Sequence, residues 1–331
     1  MSQKFHIQSP TRVDLAGGTL DMWPLYNFVH GAKTVNVAID IYTEAALEPR
    51  SDSKIIFESP DLKARIEYQS FQEAMSDQSG VWALNQSVIR FFKPEQGFQL
   101  ITRSQSPVGG GLGGSSSLTI TLLKTFSQWL KRPFPSTHQM VHVAHNMEAE
   151  LLNTPTGTQD YYPAVSGGVN ILSYGAEGID HKVLTVDGSE LSSNFMLIYT
   201  GKAHHSGLNN FEVLKKAVAR DKQTLQALRQ IKEIAEATAK AVENRYFHLL
   251  PELFVQEYSA RTLLCEDFSS DEIRTLHKLS LEHGAQALKI CGAGGGGCVL
   301  VWCAPQNQES VRSACQRAGF QVLAAKPVRP L

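Results

Sequence analysis

The chain has 331 residues, of which 42% are hydrophobic and 19% charged, with 25 glycines, 14 prolines and a formal net charge of −1. This profile excludes collagen, coiled coil and global disorder, and the near-neutral balance leaves no basic footprint for a nucleic-acid backbone. At roughly 100–200 residues per domain the length predicts two domains or one bilobal unit.

No apolar run reaches the roughly 20 residues a spanning helix needs. The start, MSQKFHIQSPTRVDLAGG, has no secretory pattern, so a cytoplasmic protein without a membrane partner is expected. Cys265, Cys291, Cys298, Cys303 and Cys315 form no Cys-x-x-Cys pair. They read as packed thiols rather than disulfides or a zinc site.

In chain order, residues 5–50 predict short strands around a glycine turn, and 54–69 a hairpin turning at Ser59-Pro60-Asp61. A helix is expected over 81–93 and a strand over 98–105. Leu118, Leu122, Phe126 and Trp129 then recur at i, i+4, i+8 and i+11, one apolar helical face. Ser136 is a candidate cap for a second helix to Leu152, with Met140, Ala144, Met147 and Leu151 inward. Strands follow at 169–175 and 194–201, and a long charged helical region at 209–246. Further helices are expected over 249–265 and 271–283. The tail reads strand, glycine turn, strand, helix, strand, which resembles half of a ferredoxin-like layer. The class is α+β, with a lobe boundary near 170–205.

Three glycine-rich places stand out. Pro107-Val108-Gly109-Gly110-Gly111-Leu112-Gly113-Gly114-Ser115-Ser116-Ser117 opens directly into the first predicted helix. Glycines allow close approach, a helix N-terminus offers unpaired amides to an anion, and the serines add hydroxyls, which together make a triphosphate cradle. Gly109-x-Gly111-x-x-Gly114 formally satisfies the dinucleotide fingerprint, but Leu130-Lys131-Arg132-Pro133 occupies the place of its ribose-binding acid. The Walker pattern fails too, because this loop closes Gly-Gly-Ser and Gly201-Lys202 is followed by Ala203. The other two places are Ser9-Pro10-Thr11-Arg12-Val13-Asp14-Leu15-Ala16-Gly17-Gly18-Thr19-Leu20-Asp21 and Lys289-Ile290-Cys291-Gly292-Ala293-Gly294-Gly295-Gly296-Gly297.

The order of these three motifs resembles that of the GHMP kinases, the galactokinase, homoserine kinase, mevalonate kinase and phosphomevalonate kinase superfamily. SPTRVDLAGGTLD, PVGGGLGGSSS and GAGGGG correspond to its first, second and third motifs. AGG-x-x-D and GTQDYYPAVSGG look most like its heptose-7-phosphate kinase and sugar-1-kinase branch. Two departures stand out. Gly114 replaces the usual first serine, which leaves two serine registers open, and Gly17-Gly18-Thr19-Leu20-Asp21 replaces Gly-Gly-Gly-Thr-Asp.

The resemblance implies a two-lobed fold with an N-terminal ATP-binding β-α domain over 1–190 and a ferredoxin-like C-terminal domain over 191–331. It further implies ATP and Mg2+ as cofactors and a hydroxyl of a sugar or phosphosugar, such as D-glycero-D-manno-heptose 7-phosphate, as phosphoryl acceptor. Asp160 in Gly157-Thr158-Gln159-Asp160 matches the catalytic base and Arg12 the cation beside it. Ser115 (or Ser116) and Glu148, twelve positions before Asp160, match the metal ligands. Asp21 is placed on acceptor hydroxyls, with Gly17, Gly18, Gly294 and Gly295 on the same substrate. Lys202, His204 and His205, after a strand end, are candidate holders of an acceptor's own phosphate. His138, His142 and His145 share a helix face, where a packed stripe is expected rather than a metal site. The alternatives are a mevalonate or isoprenoid-precursor kinase, and a silent ATP- and sugar-binding sensor.

Overall fold

The computed structural model describes residues 4–185, 188–203 and 208–331. Two long strands, β1 (Phe5–Ala16) and β2 (Lys33–Pro49), replace the short ones expected at the N-terminus. β-Branched residues sustain β2, and register shifts at Pro10/Thr11 and Asp14/Ala16 let the pair stay hydrogen-bonded through its bends. The hairpin forms as β3 (Ile55–Ser59) and β4 (Ala64–Tyr68), and β5 (Phe98–Ser104) and β6 (Val169–Gly175) follow. A strand the periodicity did not signal, β7 (Gly178–Leu184), completes a seven-stranded sheet ordered β4-β3-β5-β2-β6-β7, with β1 paired to β2. Its half-exposed, charged sequence hid it.

The remaining strands are β8 (Phe195–Tyr199), β9 (Ala285–Ile290), β10 (Cys298–Cys303) and β11 (Gln321–Leu323). They form a four-stranded sheet in the order β11-β8-β10-β9, the 4-1-3-2 arrangement of a split β-α-β-β-α-β layer. β11 is shorter than expected because the chain after Leu323 leaves this sheet. It returns to β2, where Asp40 N donates to Lys326 O and Val328 N to Ala38 O, both at 2.9 Å.

The helix Gly114–Leu130 packs on β1 and β2, with Leu122 and Phe126 fully buried. Each such side chain contributes about 1.5–3 kcal/mol by leaving water. The helix Thr137–Leu152 starts at Ser136, whose side chain accepts from Gln139 N, but Leu151 is exposed rather than inward. The helical region expected over 209–246 forms as two helices, Leu208–Val218 and Lys222–Glu243. Arg220 at positive φ breaks the first, and Asp221 caps the second by accepting from Thr224 N. Among the described residues the cysteines are free thiols, four of them buried. No helix among the described residues is long and apolar enough to cross a membrane.

Candidate active site

The helix Gly114–Leu130 begins after Gly113, which takes the left-handed conformation at φ 70°. This sets the serine register. Ser115 and Ser116 line a cleft of about 430 Å³, while Ser117 turns inward to Pro10 O (3.0 Å) and the Thr43 hydroxyl (2.8 Å). Leu112 is likewise buried, in the apolar cluster with Val13 and Leu15. The cleft wall is therefore Pro107, Gly109–Gly111 and Gly113–Ser116, and Leu112 and Ser117 are its supports.

The third glycine loop backs this wall. Cys298 N donates to Gly110 O at 2.7 Å, and a Cβ on Gly292 or Gly297 would lie 3.0 or 2.9 Å from the carbonyl oxygens of Gly111 and Gly110. Two backbones pack here face to face, which only glycine permits. Gly292 and Ala293 reach the cleft. Gly294 and Gly295 instead pack on Phe268, whose carbonyl accepts from Gly295 N at 3.0 Å.

Asp160 stands opposite the helix start, its side chain about 3.1 Å from where a Cβ on Gly113 would be. Arg12 from β1 grips it, with Nε at 2.8 Å and Nη2 at 2.7 Å from Oδ1, and Nη1 donates to Gly111 O at 2.5 Å. The guanidinium is 4% exposed and the carboxylate 24%, so the acid faces the cleft while the cation is fixed behind it. One rigid fork thus ties Asp160 to the backbone of the glycine-rich loop.

Glu148, almost fully buried, accepts from Ser116 Oγ (2.8 Å) and Tyr161 Oη (2.5 Å) through the same oxygen. Burial pushes its carboxyl up, and the hydroxyl donors pull it back. Tyr161 heads a short helix, Tyr161–Ser166, which no periodic pattern in the sequence announces. A serine hydroxyl and a carboxylate on the cleft wall are hard oxygen donors of the kind Mg2+ takes when phosphates complete its shell, and they fit that ion. No group of three or more His, Cys, Asp or Glu that could hold a metal occurs among the described residues.

Next to Asp160 in the chain, Gln159 donates its N–H to the buried Asp21 carboxylate at 3.1 Å. Burial pushes its carboxyl up to about 6, and the charge of Asp160 adds to the shift. Gly157 is what lets Asp21 sit there, since a Cβ at that position would lie 1.9 Å from Asp21 Oδ2. Thr19, Gln159 and Asn210 complete this polar wall.

Several expected residues lie elsewhere. Lys202 is half exposed, paired with Glu272 at 3.2 Å, and is not on the cleft wall. His204 and His205 lie outside the described residues. Gly17 and Gly18 are buried supports, Gly17 against Lys33 O and Gly18 against Asp14 and Arg261. The three helix histidines have separate partners: His138 with Tyr162 Oη, His142 with Asn146, and His145 with Thr156 O.

The motifs give no sign of the support beneath the loop that carries Asp21. Asp14, Glu257, Arg261 and Lys289 are all fully buried. Lys289 Nζ lies 3.1 Å from Asp14 and 3.2 Å from Glu257, and Arg261 Nη1 lies 3.5 and 3.6 Å from the same two acids. Two charges of each sign cancel. The quartet joins β1, the helix Leu250–Leu264 and β9.

A model of the GHMP kinases N terminal domain matches residues 80–168, and one of the GHMP kinases C terminal matches 252–321. The curated D-glycero-alpha-D-manno-heptose 7-phosphate kinase of Campylobacter jejuni is 30% identical over 318 residues, covering 94% of this chain and 92% of the relative. The mevalonate kinase of Thermococcus onnurineus is 24% identical over 317 residues, with 89% of each chain covered. Among solved structures, a D-glycero-D-manno-heptose 1-phosphate kinase from Bacteroides thetaiotaomicron superposes with a TM-score of 0.78 at 22% identity, covering 99% of this chain and 97% of that one, a likeness of fold. Two lobes, two sheets and three glycine loops meeting at one cleft are thus the GHMP kinase fold, and the chain belongs to the GHMP kinase family, phosphotransferases with an alcohol group as acceptor.

Proposed function

We propose that this protein is an ATP- and Mg2+-dependent sugar kinase that transfers the γ-phosphoryl group to a hydroxyl of a phosphosugar of the heptose 7-phosphate type. The observation that carries the reading is the Arg12–Asp160 pair held against the start of the helix Gly114–Leu130. The triphosphate lies along the amides of Gly109–Ser116, where the positive end of the helix favours anions. Leu62, Val81 and Val108, each more than half exposed at the cleft, give an apolar mouth for the nucleobase.

The acceptor hydroxyl approaches Asp160. As its oxygen bonds to the γ-phosphorus, the bond from that phosphorus to the β,γ-bridging oxygen breaks, and the hydroxyl proton passes to the Asp160 carboxylate. An aspartate is a weak base at neutral pH, so Asp160 chiefly orients the hydroxyl and takes its proton late. Arg12 holds the Asp160 carboxylate in place through two contacts to Oδ1. Ser115, Ser116 and Glu148 would hold the metal, which supplies charge neutralisation on the phosphate oxygens. Asp21 receives hydroxyls of the acceptor. The named heptose kinase relative at 30% identity supports the acceptor class.

The test is ADP release from Mg-ATP across heptose 7-phosphate, galactose, fucose, arabinose, mannose, mevalonate and homoserine. Turnover on the heptose phosphate is expected. Turnover on mevalonate alone would replace this acceptor, and ATP binding with silence throughout would favour a sensor.

A further inference from the structure

Thr19 stands at a junction that the reaction scheme above leaves unused. It is a β-branched residue held at φ 81°, an unfavourable backbone conformation, and it is 2% exposed. Its hydroxyl makes two contacts. Arg261 Nη2 lies 3.1 Å from Oγ1, and Asn210 Oδ1 lies 2.8 Å from the same atom. Arg261 Nη2 also donates to Gly292 O at 3.1 Å, and its guanidinium lies over the Phe268 ring at 4.9 Å. The quartet of buried charges described above fixes it from the other side.

Polarity gives this chain of contacts a direction. A guanidinium has donors and no acceptor, so Thr19 Oγ1 must accept from Arg261. The hydroxyl has one proton, and in a buried place that proton needs an acceptor. Among the described residues the acceptor within reach is the Asn210 side-chain oxygen. With its oxygen engaged by Thr19, the Asn210 carboxamide keeps its NH2 group for another partner, and Asn210 and Thr19 both line the cleft. Asp21 on the same wall is a carboxylate, which can only accept when ionised.

From this we infer that Asn210 is a specificity-determining residue of the acceptor site. Its amide donates to an oxygen of the bound acceptor, and Arg261 and Thr19 are positioning residues that set its polarity. The inference rests on the kinase reading above and deepens it. Asp21 would receive a hydroxyl proton and Asn210 would offer one, so the two together read an acceptor bearing both a donor and an acceptor oxygen. A phosphate oxygen and a second hydroxyl or ring oxygen are equally suited to the NH2 group, and the experiment separates them.

Steady-state kinetics of the full chain with Mg-ATP would be measured for Asn210→Ala, Asn210→Asp, Thr19→Val and Thr19→Ser, with heptose 7-phosphate and the unphosphorylated heptose as acceptors. Loss of one hydrogen bond to a ligand corresponds to about a tenfold change. Asn210→Ala is expected to raise the acceptor KM about tenfold, with kcat and the ATP KM within about threefold. Asn210→Asp, which turns the donor into an acceptor of like charge to a phosphate, is expected to raise it further. Thr19→Val reproduces the Asn210→Ala effect and adds nothing in the double variant, while Thr19→Ser, which keeps the hydroxyl, recovers most of the loss. An effect confined to the phosphorylated acceptor places the contact on its phosphate, and an equal effect on both places it on the sugar.

An active wild-type protein whose acceptor KM is unmoved by Asn210→Ala and Asn210→Asp overturns the inference and leaves the kinase reading standing. So does a double variant that loses the product of the two single effects. A wild-type protein that turns over neither acceptor nor any other alcohol overturns both.

Discussion

Replacing Lys289 by Met puts the buried quartet under direct strain. Methionine keeps much of the volume but leaves Asp14 and Glu257, both fully buried, facing Arg261 alone at 3.5 and 3.6 Å. The ammonium it removes lies 3.1 and 3.2 Å from those acids and donates to Ile290 O at 2.7 Å. One such contact is worth about 5 kcal/mol of Coulomb energy at an effective dielectric near 20, but much of that is offset by no longer burying the lysine charge. The net loss for breaking a buried pair is about 3–5 kcal/mol, a large share of the roughly 5–15 kcal/mol that holds a domain together.

The double variant Glu257→Gln/Lys289→Met removes one charge of each sign and is expected to regain at least about 1 kcal/mol over the single one. The pH dependence follows from Glu257. Burial already pushes its carboxyl above 4.5, and Lys289 is the largest influence pulling it back. In Lys289→Met the native state therefore holds a proton that the unfolded chain has lost, so stability rises as pH falls from 8 towards 5.5. Urea unfolding followed by tryptophan fluorescence at both pH values measures all three quantities. A loss under about 1 kcal/mol at pH 8, with a double variant no better than the single, would refute the reasoning.

Further outcomes follow from the cleft. With its carboxyl pushed up to about 6, Asp21 is ionised at pH 7.5 and increasingly neutral below 6, so acceptor kcat/KM should fall about tenfold per pH unit there. The same shift sets native Asp21 above its unfolded value of 3.8, so it costs stability as pH rises through 6, and Asp21→Asn should be the more stable protein at pH 8 by up to about 3 kcal/mol in thermal unfolding while binding acceptor worse. Gly157→Ala drives a methyl to 1.9 Å from Asp21 Oδ2 and should raise acceptor KM at least about tenfold, with ATP KM little changed in steady-state assays. Glu148→Gln should lower kcat by about 10- to 100-fold and raise the Mg2+ concentration at half activity, as a magnesium titration would show.

What the sequence made legible was local. The loop 107–117 announced itself because its glycines run straight into a 3.6-residue apolar stripe, so loop and helix start are one signal. Asp160, Arg12 and Glu148 stand out through motif resemblance, and the structure brings all three to one cleft. The serine register was not legible: the sequence leaves Ser115 and Ser116 as alternatives, and the structure puts both on the cleft with Ser117 turned inward. Nor was the support layer. Asp14 and Lys289 meet across 275 positions, and buried charges leave no periodicity for a reader to find. Lys202 pairs with Glu272 at the start of another helix, a contact that no strand-end rule anticipates. Tyr161 and Asn210 escaped for a similar reason: each earns its place through a partner far along the chain, Glu148 and Thr19 respectively.

The most direct measurement compares wild type and Asp160→Asn in phosphoryl transfer from Mg-ATP to heptose 7-phosphate, with phosphorus NMR identifying the new phosphate ester and nucleotide binding measured alongside. Removing the group that orients the hydroxyl and takes its proton should cut kcat by about 10²–10⁴ while ATP affinity stays within about threefold. An Asp160→Asn protein that forms the ester at near wild-type rate would contradict the account, because the Arg12–Asp160 pair would then be a structural brace and not the place where the proton goes.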